Sequence, residues 1–526
     1  MDVDRSAKPD RGESGSPPSR GAPVRMTPPT AGPIVVAGFG LILAAAVNLA
    51  VAALPSHFRD TRLNLDGLGS WPAVAAGYGL GIAVAFSCYV VAWRAARQLP
   101  PTRRTLVIII AVPIIAGLLL LPTYPLLSRD FFYTVMNARI MAHYHLNPFE
   151  FAPGFFSADP FLPYADWHQV TMPYGPFWTI LIGLVGRIPG NGILANFIAF
   201  KALLLAAFLG TTALIAWLLV KVAPERLLPG LVLWAWNPLV LLETVANGHN
   251  DIVMIALIVL AFALAARDRA ALALVALMMA GEVKQTALGL LPLLVLYLLR
   301  DQTTWRSRFH RLLPGVALSG ALLALLYAVF WVGWWHTVFR FFGQTEFYIA
   351  SPAALARLAL LHWFGTPETA IRDAGLLIGG IFYLRLLRHA GDGVDALLSA
   401  CYTAMLIGIV VWPVFYPWYV PWLVAVAAAL APGWAGRQAI AFSIVAGASY
   451  LFLYGLRHVQ PHSPQFWSAA EAVTVFGTLL VLATWEWIHQ ARYGGHAGAA
   501  RTSAFESEPV TGLMASAAKR VARPGR

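Results

Sequence analysis

An acid that closes an apolar run and leads into an aromatic-rich segment is suited to proton transfer at a membrane surface. The densest signal of that kind here is Ser128-Arg129-Asp130-Phe131-Phe132-Tyr133. It continues through Asn137-Ala138-Arg139, Asn147-Pro148-Phe149 and Trp167-His168 to Met172-Pro173-Tyr174-Gly175-Pro176. A carboxylate at the mouth of a helix can take the proton of an attacking hydroxyl while a lipid-borne partner enters from the side. Intramembrane and mouth-lying charges mark function more often than not. The competing reading is that Asp130 pairs with Arg129 or caps the next helix.

Three further clusters interrupt apolar sequence. Asn247-Gly248-His249-Asn250-Asp251 joins two apolar runs, with His249, Asn250 and Asp251 expected to line a site and a helix cap as the rival role. Glu282-Val283-Lys284-Gln285 breaks a long apolar stretch into two short halves, a pattern that marks binding sites in membrane proteins. Lys284 is placed to neutralise a phosphate, unless it pairs with Glu282 or snorkels to the interface. Around Tyr416, Trp418 and Tyr419, proline and aromatic residues alternate. They fit either stacking on a sugar or isoprenoid or an interfacial aromatic belt. Arg340, Gln344, Glu346 and Tyr348 form a further polar group with no assigned role.

The elements that must position these residues follow from composition. Of 526 residues, 59% are hydrophobic and 12% charged, and the mean hydropathy is +0.66. A soluble fold of this size cannot cover so much apolar surface. Apolar runs suited to helices fall at 34–54, 71–93, 106–127, 193–220, 227–245, 252–266, 270–281, 286–299, 312–335, 371–387, 396–415, 418–430, 440–456 and 466–488. The sequence therefore predicts an all-α polytopic bundle of about 14 spans at 33–490. Disordered tails are expected at 1–32 and 491–526, and outer loops at 128–190 and 336–372, with 176–185 lying along the interface rather than crossing.

Basic residues give the orientation. Arg94, Arg97, Arg103 and Arg104 share one connection, and Lys221 with Arg226, Arg267 with Arg269, Arg300 through Arg311, Arg385 with Arg388, and Arg437 occupy every second connection after it. The positive-inside rule places these and both termini in the cytoplasm, so all the clusters above open outward. The net charge of +12 then reports topology, and no nucleic-acid partner is expected. Cys88 and Cys401 lie inside apolar runs and form neither a metal spacing nor a disulfide framework. No P-loop, dinucleotide fingerprint or HExxH is present, and the first outer loop has no Asp-x-Asp, so no metal or other cofactor is expected.

In their order, Ser128-Arg129-Asp130 with Tyr133 and Arg139, Asn147-Pro148-Phe149, Tyr174-Gly175-Pro176, Gly248-His249-Asn250-Asp251, Lys284 and Pro417-Trp418-Tyr419 resemble the GT-C superfamily of polytopic glycosyltransferases. Within it they are most similar to the polyprenol-phosphomannose-dependent alpha-(1→6)-mannosyltransferases, over roughly residues 106–430. The resemblance implies a polyprenyl-phosphate-linked sugar donor in the lipid bilayer and a glycan or glycolipid acceptor outside. It implies Asp130 as catalytic base of a single inverting displacement, with Arg129, Tyr133, Arg139, Tyr174, His249, Asn250, Asp251, Lys284, Tyr416, Trp418 and Tyr419 around the substrates. A transporter or flippase of lipid-linked sugar would use the same cavity without a base. A polymerase or ligase would take polyprenyl diphosphate-linked glycans instead.

Overall fold

A computed structural model of the chain describes residues 31–332, 348–365, 368–459 and 464–493. Arg340, Gln344, Glu346 and most of the two predicted tails lie outside the described residues.

In hydrocarbon every backbone N–H and C=O must be satisfied inside its own segment, so apolar runs become helices. The described residues contain no sheet, only isolated bridges at Ala53–Thr123 and Ile349–Val414. The helices used below are α1 (Gly32–Val51), α2 (Trp71–Ala96), α3 (Arg103–Leu120), α4 (Asp130–Ala142), α5 (Pro176–Gly186), α6 (Ile193–Val222), α7 (Leu227–Ala235), α8 (Pro238–Leu241), α9 (Asp251–Ala265) and α10 (Ala270–Gly281). They continue as α11 (Leu291–Leu298), α12 (Trp305–Val329), α13 (Pro352–Phe364), α14 (Glu368–Leu386), α15 (Val394–Val411), α16 (Val420–Leu430), α17 (Trp434–Val459) and α18 (Pro464–Tyr493).

Each predicted apolar run is helical over most of its described residues, which makes the chain an all-α, multi-pass membrane protein. The count of 14 is not reached by length and apolarity, however. Seven helices among the described residues can cross a bilayer unaided, or eight if the pair at 224–246, bent by 51°, counts as one span. The helices at 251–265, 270–281, 285–298 and 417–430 are 17 residues or shorter, and α14 carries Glu368, Arg372, Asp373 and Arg385. α5, at 11 residues, reaches only about 16 Å and does not cross.

Short interior helices are tolerable because protein, not lipid, surrounds them. Residues 420–429 of α16 are all buried, as are residues 228–235 of α7, whereas α1 turns Val36, Phe39 and Leu43 outward. Non-helical backbone at membrane depth survives only in such shelter. Small residues bring the helices close: a Cβ on Gly38 would meet Val112 Cγ2 at 2.7 Å, and one on Gly117 would meet Leu205 Cδ1 at 2.5 Å.

The connections sort into two ends. At one, Arg226 at the start of α7 holds Asp395 at the start of α15 at 2.8 Å and Ala429 O at the end of α16 at 3.4 Å. Arg311 of α12 pairs with Asp268 between α9 and α10. At the other end, Leu127 N donates to Asn247 Oδ1 at 3.3 Å and Trp178 N to Glu282 O at 3.2 Å. The basic connections are thus gathered opposite the polar breaks.

With the basic end in the cytoplasm, a membrane-impermeant thiol reagent should label a cysteine at exposed Ser157 but not one at exposed Gln98, in intact cells and a Cys88→Ser/Cys401→Ser background. Labelling of Gln98→Cys without permeabilisation would reverse the orientation.

Candidate functional site

Asp130 opens α4 directly after the turn that ends the third span, with its backbone N–H on Ser128 Oγ at 3.3 Å. It neither pairs with Arg129 nor caps the helix, whose N-cap position is Arg129 with no side-chain cap. Arg129 reaches instead to Asp166 Oδ2 at 3.1 Å and Tyr164 O at 2.7 Å. The Tyr133 hydroxyl, one turn further on, donates to Val170 O at 2.9 Å and Thr171 O at 3.0 Å. These two residues strap the 163–171 segment over the acid between them. The half-buried Asp130 carboxylate receives a hydrogen bond from Trp167 of that segment.

Burial pushes the Asp130 carboxyl above the ordinary carboxylate range, and the charges of His249 and Lys284 pull it back in part. Asp130 in turn acts on Tyr174, Tyr416 and Tyr419. These couplings unite the loop after the third span with three breaks elsewhere in the chain.

The first break follows a single π-helical turn, Leu242–Ala246, of the kind that recurs at functional sites. Glu243 in that turn is fully buried and accepts from Asn247 Nδ2 at 3.2 Å and the Tyr450 hydroxyl at 2.8 Å. Its backbone O takes His249 Nδ1 at 3.0 Å, and its carboxylate lies 3.2 Å from the same nitrogen. Burial alone would lower the His249 pKa, but Glu243 outweighs it and raises it, which favours an imidazolium with Nε2–H free to donate. The ring stacks on Trp418 at 4.2 Å, and Trp418 on Tyr416 at 4.2 Å. Gly248, at φ +81°, packs where a Cβ would meet the Phe131 ring at 2.5 Å.

Asn250 does not cap α9 with its side chain. Asp251 at the first helical position is buried, and its Oδ1 accepts from Lys284 Nζ at 2.8 Å and Trp422 Nε1 at 2.7 Å. Lys284 therefore does not pair with Glu282, which turns to the Tyr327 hydroxyl at 3.0 Å. The ammonium lies 5.9 Å from the Tyr174 ring and 5.4 Å from those of Tyr419 and Trp422. His249 Nε2, Asn250 Nδ2 and Asp251 Oδ2 are buried without a hydrogen-bond partner. Three such atoms on consecutive residues depart from the rule that buried polar groups are paired, and they offer two donors and an acceptor to a polar ligand.

Asp130, Tyr174, Lys284, Tyr416, Trp418 and Tyr419 are half-buried, whereas His249, Asn250 and Asp251 are buried. Arg139 is not part of this group. It is buried against Asp159, donating to it through Nε at 3.1 Å and Nη2 at 2.8 Å, and it stacks 4.1 Å over Phe161. Arg129 and Tyr133 touch the site through the loop they hold. Trp422 belongs to the aromatic and proline cluster read from the sequence around Trp418, whereas Glu243 and Tyr450 were missed. Of those two only Glu243, an acid four residues before Asn247, carries a sequence signal. Tyr348 donates to Glu368 O at 2.5 Å, and the next residue, Ile349, bridges Pro413 and Phe415 just before the Tyr416 break. Among the described residues no three of His, Cys, Asp and Glu gather as metal ligands.

Residues 34–300 match the model of the alpha-(1→6)-mannopyranosyltransferase N-terminal domain family. The chain is 27% identical over 311 residues to alpha-(1→6)-mannopyranosyltransferase A of Mycobacterium tuberculosis, covering 56% of this chain and 55% of that protein. It is 26% identical over 133 residues to the Corynebacterium glutamicum protein of the same name, covering 25% of this chain and 26% of that one. The chain thus matches about half the length of the first relative and about a quarter of the second.

Gly175 binds two walls of the site together, since a Cβ there would meet Glu282 O at 2.3 Å, a backbone atom that cannot swing aside. Gly175→Ala should lower the thermal midpoint in detergent, whereas Gly210→Ala, with nothing within 4 Å, should be neutral or stabilise by about 0.5–1 kcal/mol. Equal midpoints for the two variants would refute the close approach.

Proposed function

The chain belongs to the alpha-(1→6)-mannopyranosyltransferase family, and from that premise we propose that it transfers a hexose, mannose in the first instance, from a polyprenyl-phosphate carrier to a glycan or glycolipid acceptor at the outer face. The observation that carries the reading is a half-buried carboxylate, Asp130, on which Lys284 and His249 act from two other breaks in the chain.

Asp130 accepts the proton of the acceptor hydroxyl as that oxygen bonds to the anomeric carbon. The bond from that carbon to the phosphate oxygen breaks, and its electron pair leaves with polyprenyl phosphate. One displacement inverts the anomeric centre. Lys284 and the His249 imidazolium meet the charge that grows on the phosphate, where a preorganised cation in a water-poor site acts strongly. Glu243 and the stack on Trp418 fix the imidazole; Asp251 and the rings of Tyr174, Tyr419 and Trp422 fix the ammonium. Asn250 supplies a further donor to the sugar or phosphate, and Tyr416 extends the aromatic wall.

The test is transfer of radiolabelled mannose from polyprenyl-phosphate mannose to a panel of manno-oligosaccharides and glycolipids by the purified full chain. Asp130→Asn keeps the shape and removes the base, so turnover should fall about 10²- to 10⁴-fold with little change in donor binding. Parental turnover in that variant would end the assignment.

Lys284→Gln should lower turnover on the order of 10²-fold. The base works only as carboxylate, so the rate should fall as pH drops through the raised Asp130 pKa. Removing the Lys284 charge takes away one influence that lowers that pKa, so the acid limb of the pH–rate profile should move to higher pH. Lys284→Arg should keep part of the rate. An acid limb that stays in place in Lys284→Gln would separate the cation from the base.

A further inference from the structure

Trp167 has an environment that the scheme above does not use. Its backbone sits at φ +61°, a left-handed conformation that is strained for a bulky residue, and such strain concentrates at functional sites. Despite its size it is 51% exposed. The flanking contacts hold it there from both sides. Arg129 grips Asp166 and Tyr164 O before it, and the Tyr133 hydroxyl grips Val170 O and Thr171 O after it. Within the turn, Val170 N donates to Trp167 O at 2.9 Å, His168 Nε2 to Ala165 O at 2.5 Å, and Gly154 N to His168 O at 2.8 Å. The indole has a donor and no acceptor, so its bond to Asp130 runs from Nε1–H to the carboxylate.

We propose that Trp167 is the acceptor subsite, its indole carrying the pyranose ring whose hydroxyl Asp130 deprotonates. The proposal rests on the transferase reading. An aromatic face is suited to the apolar C–H face of a pyranose, and the ring is tied to the base, so a sugar laid against it brings a hydroxyl to Asp130. The donor phosphate belongs with Lys284 and His249, which sit among Tyr174, Tyr419, Trp422 and Trp418. Trp167 instead comes from the polar loop outside the spans, the side from which a water-borne glycan arrives. An interfacial belt tryptophan turns its N–H toward lipid headgroups, whereas this one turns it inward to a carboxylate.

The experiment compares the full-length parental protein, Trp167→Phe and Trp167→Ala, with polyprenyl-phosphate mannose as donor and a linear alpha-manno-oligosaccharide as acceptor. Trp167→Ala should raise the acceptor KM about 10-fold and leave the donor KM within about 2-fold, the size of effect one aromatic contact gives. Trp167→Phe should keep the acceptor KM near the parental value and lower kcat, because the ring remains while the donor to Asp130 is lost. Binding of the oligosaccharide without donor, by saturation-transfer NMR in detergent, should weaken in Trp167→Ala and persist in Trp167→Phe. That readout stands even if the donor is not polyprenyl-phosphate mannose and no transfer is seen. An unchanged acceptor KM and unchanged binding in Trp167→Ala would overturn the proposal. So would equal rises in both KM values, which would mean that the loop had collapsed. A variant that only inserts poorly, with parental kinetics per molecule, would make Trp167 a membrane anchor and overturn it as well.

Discussion

The Asp251 carboxylate is 1% exposed, and a charge so far from water must be met by other groups of the protein. It is met by Lys284 from the break after α10 and by Trp422 from the first turn of α16. Neither partner is near it in sequence, and each lies beside a helix interruption. Three discontinuous segments are therefore brought to one point by a single carboxylate. A buried pair of this kind stabilises little on balance, since removing both charges from water offsets their attraction, but losing one partner costs about 3–5 kcal/mol. The arrangement specifies where the breaks lie relative to one another more than it adds to stability.

A second buried charge sets the remaining distance. Lys201, in the third turn of α6, is fully buried and donates to Thr123 O and, at 2.7 Å, to Ala246 O. Those carbonyls lie just past the end of α3 and at the last residue of the π turn, where backbone acceptors lack helical partners. The lysine thus binds the segment that leads to Asp130 to the segment that leads to His249 and Asp251. The bond from Leu127 N to Asn247 Oδ1 and the packing of Gly248 on Phe131 fasten the same two segments a few residues further on. The wall with the carboxylate and the wall with the cations are held apart and in register by groups that touch neither substrate in the proposed scheme.

The spans and the polar interruptions were legible in the sequence because both are local: an apolar run is a helix in lipid, and a charge in such a run is anomalous. The partner of each charge was not legible, because pairing is set by the fold. Arg139 reads as a free cation beside an acidic loop, yet Asp159, 20 residues on, pairs with it, with Asn191 and the Phe161 ring completing its contacts. The family resemblance implies Arg129 and Tyr133 as substrate contacts, yet both bond to the 163–171 segment. Glu243 is visible as an acid in an apolar run, but the π turn that carries it leaves no mark in composition, so its contact with His249 is not. Length and apolarity alone single out seven or eight of the described helices as spans, for a related reason. Interior half-helices are as apolar as full spans, and only packing shows that they are sheltered by other helices.

On the proposed reaction the formal charges show what this geometry is for. Glu243 is matched by His249 and Asp251 by Lys284, which leaves Asp130 as the uncompensated charge of the site. The donor phosphate brings one more negative charge, which strengthens Asp130 as a base by repulsion just when the acceptor is in place. When the sugar moves, the proton neutralises Asp130 and the phosphate gains the charge that Asp130 loses. The total is unchanged, but one negative charge has passed from the wall without a cation to the wall with two. The barrier is lowered to the extent that the second wall is already polarised to receive it, which requires Lys284 and His249 to be fixed before the substrate arrives. That is the physical reason for burying Asp251 and Glu243 behind them, where their own charges do no chemistry.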